Sequence, residues 1–180
     1  MFKAWLRPDR VLMAVVAVAA GVLACRDTTT PKQISTGDIT EPAMTASVDF
    51  TSVIDGRGNL GTFHVQSKLN SYDVELKSHD DTDIAVADIT VGPNGSSGWH
   101  YHPGPVVVTV KSGAITFYTA DGPNCSVLVH PAGTTFIEEG GVVGNAFNKT
   151  TGTTTVVAVF FAPKGSPLRL DAPAPANCQT

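Results

Sequence analysis

From Val48 to Leu170 the sequence is built of short apolar runs, each stopped within a few residues by Gly, Asn, Asp or Pro. Val, Ile, Thr and Phe dominate the runs, and these side chains suit a pleated, half-buried surface. The pattern predicts strands at Phe63–Ser67, Tyr72–Lys77, Ile84–Val91, Val106–Lys111, Ala114–Thr119, Ser126–His130, Thr134–Ile137 and Thr154–Phe161. Ser112-Gly113 and Asp121-Gly122-Pro123-Asn124 read as turns between neighbouring strands, and Asn94-Gly95 as a further turn. Past residue 24, no segment keeps an apolar 3.6-residue period over three turns, so no helix is expected. Short strands with Gly-rich turns predict an all-β domain, a sandwich or a barrel. The closing LRLDAPAPANCQT is too rich in proline for an interior strand. Residues 171–180 are therefore expected to form a tail on the outside, beyond a domain spanning 48–170.

The chain begins differently. Lys3, Arg7 and Arg10 precede Val11–Leu23, a run of apolar and small residues with no polar face. The run is shorter than the roughly 20 residues that a membrane-spanning helix needs, and it reads as the core of a secretory signal. It ends in Val22-Leu23-Ala24-Cys25, which resembles the lipobox of bacterial lipoproteins. That resemblance implies removal of residues 1–24, a lipid on the Cys25 thiol, and attachment to a membrane of the bacterial envelope. Arg26 rather than aspartate follows the cysteine, which by the same resemblance favours the outer membrane over the inner. Residues 25–47 are rich in Thr, Ser and Pro and read as a flexible tether with a reach of roughly 25 Å.

With Cys25 committed to lipid, Cys125 and Cys178 remain, and an even pair in an oxidising compartment predicts one disulfide. Closing a loop of roughly 50 residues would stabilise the fold by up to about 4 kcal/mol. The full chain has a formal charge of −4. Without Lys3, Arg7, Arg10 and Asp9 it carries six more acidic than basic residues, and no basic cluster occurs. Nucleic acid is not an expected partner.

The chemistry centres on GWHYHPGPVVVTVKSGAITFY, where His100 and His102 alternate and so share one face of an extended chain. Together with the later HPAGTTFIEEGGVVGNAFN, this string resembles the two motifs of the cupin superfamily, and the resemblance covers about Val48 to Leu170. It implies a small jelly-roll β-barrel whose metal ligands point into its mouth. His100 and His102 stand on the two histidines of the first motif and Gly113 on its closing glycine. Val106 stands where that motif has a glutamate. Pro131, Gly133 and Asn148 match the second motif, and Gly144 stands where it has a histidine. Two of the four family ligands are thus replaced.

Two imidazoles alone predict a divalent metal, Fe, Mn or Zn, held weakly. Glu138, Glu139, His64, His79 and His130 are candidates for a third ligand. Glu138 stands first, because Thr134, Phe136 and Glu138 share one face of a strand beside the second motif. Trp99 either walls the barrel mouth or packs as a structural aromatic. No Ser-His-Asp order, phosphate-binding Gly-rich loop or C-x-x-C pair offers other chemistry. Two function classes follow. The favoured one is an envelope-anchored module that binds a small molecule beside a degenerate metal site. The alternative is a metal-dependent enzyme, a dioxygenase or isomerase, that recruits a third ligand to the histidine pair.

Overall fold

The computed structural model describes residues 43–178 and residue 180. The signal segment 1–24, the lipidation candidate Cys25 and most of the tether lie outside them. The described residues form ten strands: β1 Val48–Leu69, β2 Tyr72–Ser96, β3 His100–Tyr101, β4 Val106–Ser112, β5 Ala114–Asp121, β6 Asn124–Pro131, β7 Thr135–Glu138, β8 Val143–Phe147, β9 Thr154–Pro163 and β10 Leu170–Asp171. No helix occurs among these residues. Every pairing is antiparallel. One run of strands is β1-β2-β9-β4-β7, the other is β6-β5-β8-β3-β10, and the Ser96–Phe147 pair of β2 and β8 joins them.

Alternation decides which side chains fill the barrel. In β9, Thr154, Val156, Ala158, Phe160 and Ala162 are buried while their neighbours are half-covered. In β4, Val106, Val108 and Val110 do the same. Together with Ala85, Ala87 and Val91 of β2 and Ile115 and Phe117 of β5 they make one continuous apolar core. Gly113 turns β4 into β5 with a φ of 74°, and a Cβ there would run into Thr154. Asn148, the last residue matched to the second motif, is wholly buried. Its Nδ2 lies within 3.0 Å of the carbonyls of Val91, Gly92 and Gly152, and its Oδ1 accepts from the Thr150 backbone and hydroxyl. It is a clamp between β8 and β2.

Seven of the eight expected strands fall inside observed ones, and the eighth is displaced by one residue, to Thr135–Glu138. Four features depart from expectation. Tyr72–Lys77 and Ile84–Val91 belong to one strand, β2, which continues as far as Ser96. β1 starts at Val48, well before Phe63, despite Gly56, Gly58 and Gly61. β8, VGNAF, was hidden by its own glycine and asparagine. Asn94-Gly95, expected as a turn, instead lies within β2 at an irregularity of its pairing with β1, where Asn94 takes a φ of 59°.

Residues 63–69 of β1 and 72–78 of β2 pair with each other beyond the part of β2 that pairs with β9, so the hairpin runs on as an arm. Phe63, Val65, Leu69, Tyr72, Val74 and Leu76 share one face of it. The other face is charged, with His64 bonded to Glu75 and both Gln66 and Lys68 reaching Asp73.

At the other end of the chain, β10 pairs with β3, and Pro173 bridges Met44. The last residues of the expected tether are therefore held at the tail. Cys178 is joined to Cys125 in a disulfide, with Cα atoms 5.2 Å apart. The cysteine packs in a buried cluster with Trp99 and Tyr118. Trp99 is 1% exposed, so it is a structural aromatic and not a wall of the barrel mouth.

Candidate metal centre

β3 is only two residues long, yet it fixes the first histidine on both sides. His100 pairs with Gly144 of β8 and with Asp171 of β10. His102 lies just past the strand, where Pro103 ends the ladder and the His102 carbonyl accepts from the Gly141 N–H at 2.8 Å. Both imidazoles are buried and meet edge to face, with ring centroids 4.8 Å apart.

Their hydrogen bonds assign the ring protons. His100 Nδ1 lies 2.8 Å from the Gly98 carbonyl, and His102 Nδ1 lies 2.6 Å from the Leu168 carbonyl. A carbonyl oxygen only accepts, so each Nδ1 carries a proton and donates it. A ring that is neutral then presents a bare lone pair at Nε2. The two Nε2 atoms face each other at 3.1 Å, and two neutral rings have no proton there to share. Burial, opposed by the Glu138 charge and helped by Arg169 and His102, pushes the His100 pKa down to about 4, so this ring is neutral near pH 7.

Glu138 adds a third acceptor. Its Oε2 is 3.2 Å from His102 Nε2 and 4.0 Å from His100 Nε2. Among the described residues, these three are the one cluster of His, Cys, Asp or Glu with the spacing of a metal site. Donors about 2.1 Å from an ion stand roughly 3.0–3.4 Å apart in a tetrahedral or octahedral shell. The two shorter separations fit that range, and the third fits a wider angle. Two buried neutral imidazoles and a half-buried carboxylate would direct three electron pairs at one point, an arrangement that suits a cation. The histidines also show the carbonyl-bound Nδ1 that fixes ligand orientation in metal sites. The donor set therefore fits a divalent transition metal.

The carboxylate comes from an unexpected direction. Val106 of β4 stands where the resemblance expects the glutamate, and in the sheet Val106 pairs with Glu138 of β7. The two side chains are cross-strand neighbours on the same inward face, so the carboxylate reaches the histidines from the next strand. The position expected for the fourth ligand is closed. A Cβ at Gly144 would lie 2.5 Å from the ring tip of Phe117, which fills the space a histidine would need.

The other candidates lie elsewhere. Glu139 and His79 are exposed, His64 is bonded to Glu75 on the arm, and His130 stacks on Phe136 at 4.0 Å. The three donors line an open cavity of about 170 Å³, walled otherwise mainly by aliphatic and aromatic side chains. Besides the donors, its polar lining residues are Ser52, Ser97 and Arg169. Arg169, at the end of the expected domain, had no motif to mark it. It reaches the cavity because β10 pairs with β3.

No protein-family model matches the sequence, and no curated protein is significantly similar to it. Solved structures are similar at low identity. An oxalate oxidase gives a TM-score of 0.42 at 22% identity, over 44% of this chain and 42% of that one. An oxalate decarboxylase mutant from Bacillus subtilis gives 0.44 at 18%, over 50% of this chain and 23% of that one. An uncharacterized double-stranded β-helix protein from Klebsiella pneumoniae gives 0.42 at 23%, over 66% of this chain and 88% of that one. The chain spans less than half of the length of the oxalate oxidase. The antiparallel barrel, with His100 and His102 turned inward and His100 paired with Gly144 of β8, agrees with the jelly-roll barrel that the two motifs imply.

Proposed function

We propose that His100, His102 and Glu138 hold one divalent metal ion, and that the protein binds a small molecule at that ion inside the barrel. The observation that carries this reading is the convergence of two Nδ1-protonated imidazoles and a carboxylate on a common point. Three protein donors leave coordination positions open, as in the sites that combine two histidines with one carboxylate. When bound, the ion would supply Lewis-acid chemistry and, if it is iron or manganese, redox chemistry. The chain's own residues hold the donors rigid, exclude bulk water with an apolar wall, and keep the His100 ring neutral. Of the remaining polar lining residues, serine and arginine are poor bases near pH 7, so any reaction here is centred on the metal. This favours a metal-dependent binding site with catalytic capacity over a module with a vestigial one.

The same proposal places the protein at the cell envelope, lipid-anchored through Cys25, with the signal segment and the Val22-Leu23-Ala24-Cys25 sequence as support. Elemental analysis of the purified chain, paired with Glu138→Gln, tests the metal reading. One equivalent of Fe, Mn or Zn is expected in the wild type, with retention weakened at least about tenfold in the variant. A wild type that binds no divalent ion, or a variant that binds it equally well, overturns the reading.

A further inference from the structure

The cavity's charge and size narrow what enters it, an inference that rests on the metal reading above. Two neutral imidazoles and one carboxylate around a divalent ion leave a net positive charge. Arg169 adds a guanidinium whose charge is offset by a neighbouring carboxylate. Its guanidinium is held by Asp171, through Nε and Nη2 at 2.8 Å, and borders both the cavity and the shallow outer depression formed with Ala46, Ser47 and Phe50. The charge of the ion and the remaining N–H donors of Arg169 thus border the same cavity. Behind them, Val108, Ile115, Phe136, Val156 and Leu168 offer nothing polar. The cavity volume of about 170 Å³ is close to that of an engineered apolar cavity, about 150 Å³, that accepts benzene.

We propose that the ligand is a small monocarboxylate with a compact apolar body, a single ring or a branched alkyl group. Its carboxylate lies between the metal and Arg169, and its body fills the barrel. A dicarboxylate would bury its second charge in a lining whose other polar side chains, Ser52 and Ser97, carry no charge to offset the cost. A fused-ring acid would exceed the space. Arg169 is a positioning and specificity residue, since it meets the ligand's charge without coordinating the metal.

The test is calorimetric titration of the zinc-loaded protein with benzoate, acetate, cyclohexanol, oxalate and 2-naphthoate, with metal content measured on the same samples. Benzoate is expected to bind at least about tenfold more tightly than each of the others, because it alone supplies both head and body at the right size. Arg169→Gln should weaken benzoate about tenfold while leaving cyclohexanol affinity and metal content unchanged, and Arg169→Lys should recover part of the loss. Acetate or oxalate binding as tightly as benzoate, or Arg169→Gln without effect on benzoate, overturns the inference. Metal retained without benzoate preference defeats this inference and leaves the metal reading intact. Arg169-dependent benzoate binding to protein that retains no metal does the reverse.

Discussion

The His100 ring divides its labour between its two nitrogens, and the division has a measurable pH signature. Nδ1–H is committed to Gly98, and Nε2 is kept unprotonated by burial, with the pKa pushed down to about 4 from 6.5. In the unfolded chain the same ring protonates near 6.5. Between those values the unfolded state binds a proton that the metal-free folded state refuses. Stability is therefore complete above about pH 6.5 and is lost as pH falls toward 4, by up to roughly 3 kcal/mol. The urea midpoint of chelator-treated protein is expected to drop from about pH 7 to about pH 4.5, and His100→Asn should flatten that slope. The neighbouring carboxylate supports a sharper test. Because Val106 and Glu138 are cross-strand neighbours, Glu138→Ala should abolish tight metal binding, and adding Val106→Glu should restore it to within about tenfold. Failure of the rescue would mean that the carboxylate's position on β7 is itself required. Gly144→His, by contrast, should destabilise the fold by about 1–3 kcal/mol through overpacking against Phe117.

At the level of strands, the arm separates from the barrel. Its inter-strand pairs past Phe63 are made within the hairpin, and its charged face is satisfied by its own partners. Replacing residues 64–77 by a two-residue turn should leave the barrel's melting temperature and metal content nearly unchanged, while reducing self-association, since the apolar face goes with it. A barrel that fails to fold without the arm would refute this. The elements also show where the sequence was legible. The near-continuous apolar runs of β4 and β9 announce strands, since both are flanked by other strands on each side. Only the burial pattern separates their inward from their outward residues. The parity of Phe136 and Glu138 placed the third donor on the right face. Nothing local could reveal that β7 lies beside β4 in the register that sets Glu138 against Val106, because that pairing is made across the turn through Gly133 and the whole β5–β6 hairpin. β8 was missed for a related reason. It is buried by the tail and by Phe117, so its glycine and asparagine carry no strand signal of their own.

Across the whole molecule, the Cys125–Cys178 disulfide holds the tail over one side of the barrel, and the tail contributes the strand that flanks His100. Replacing both cysteines by alanine should lower stability by about 2–4 kcal/mol and loosen the metal through β10. Unchanged metal affinity in a clearly destabilised variant would show that β10 stays docked without the bond. If the signal segment is removed as proposed, Trp99 is the one tryptophan left in the chain. It immediately precedes a proposed metal ligand, and its indole is packed in one cluster with Tyr118 and Cys178 of that disulfide. The molecule therefore carries its own optical probe at the junction of site and tail. A nearby disulfide quenches indole emission, so reduction should brighten it and release of the tail should shift it to the red, as water reaches a ring now 1% exposed. A paramagnetic ion at His100 should dim the same emission, whereas zinc should not, so one fluorescence trace would follow both tail closure and the identity of the bound metal.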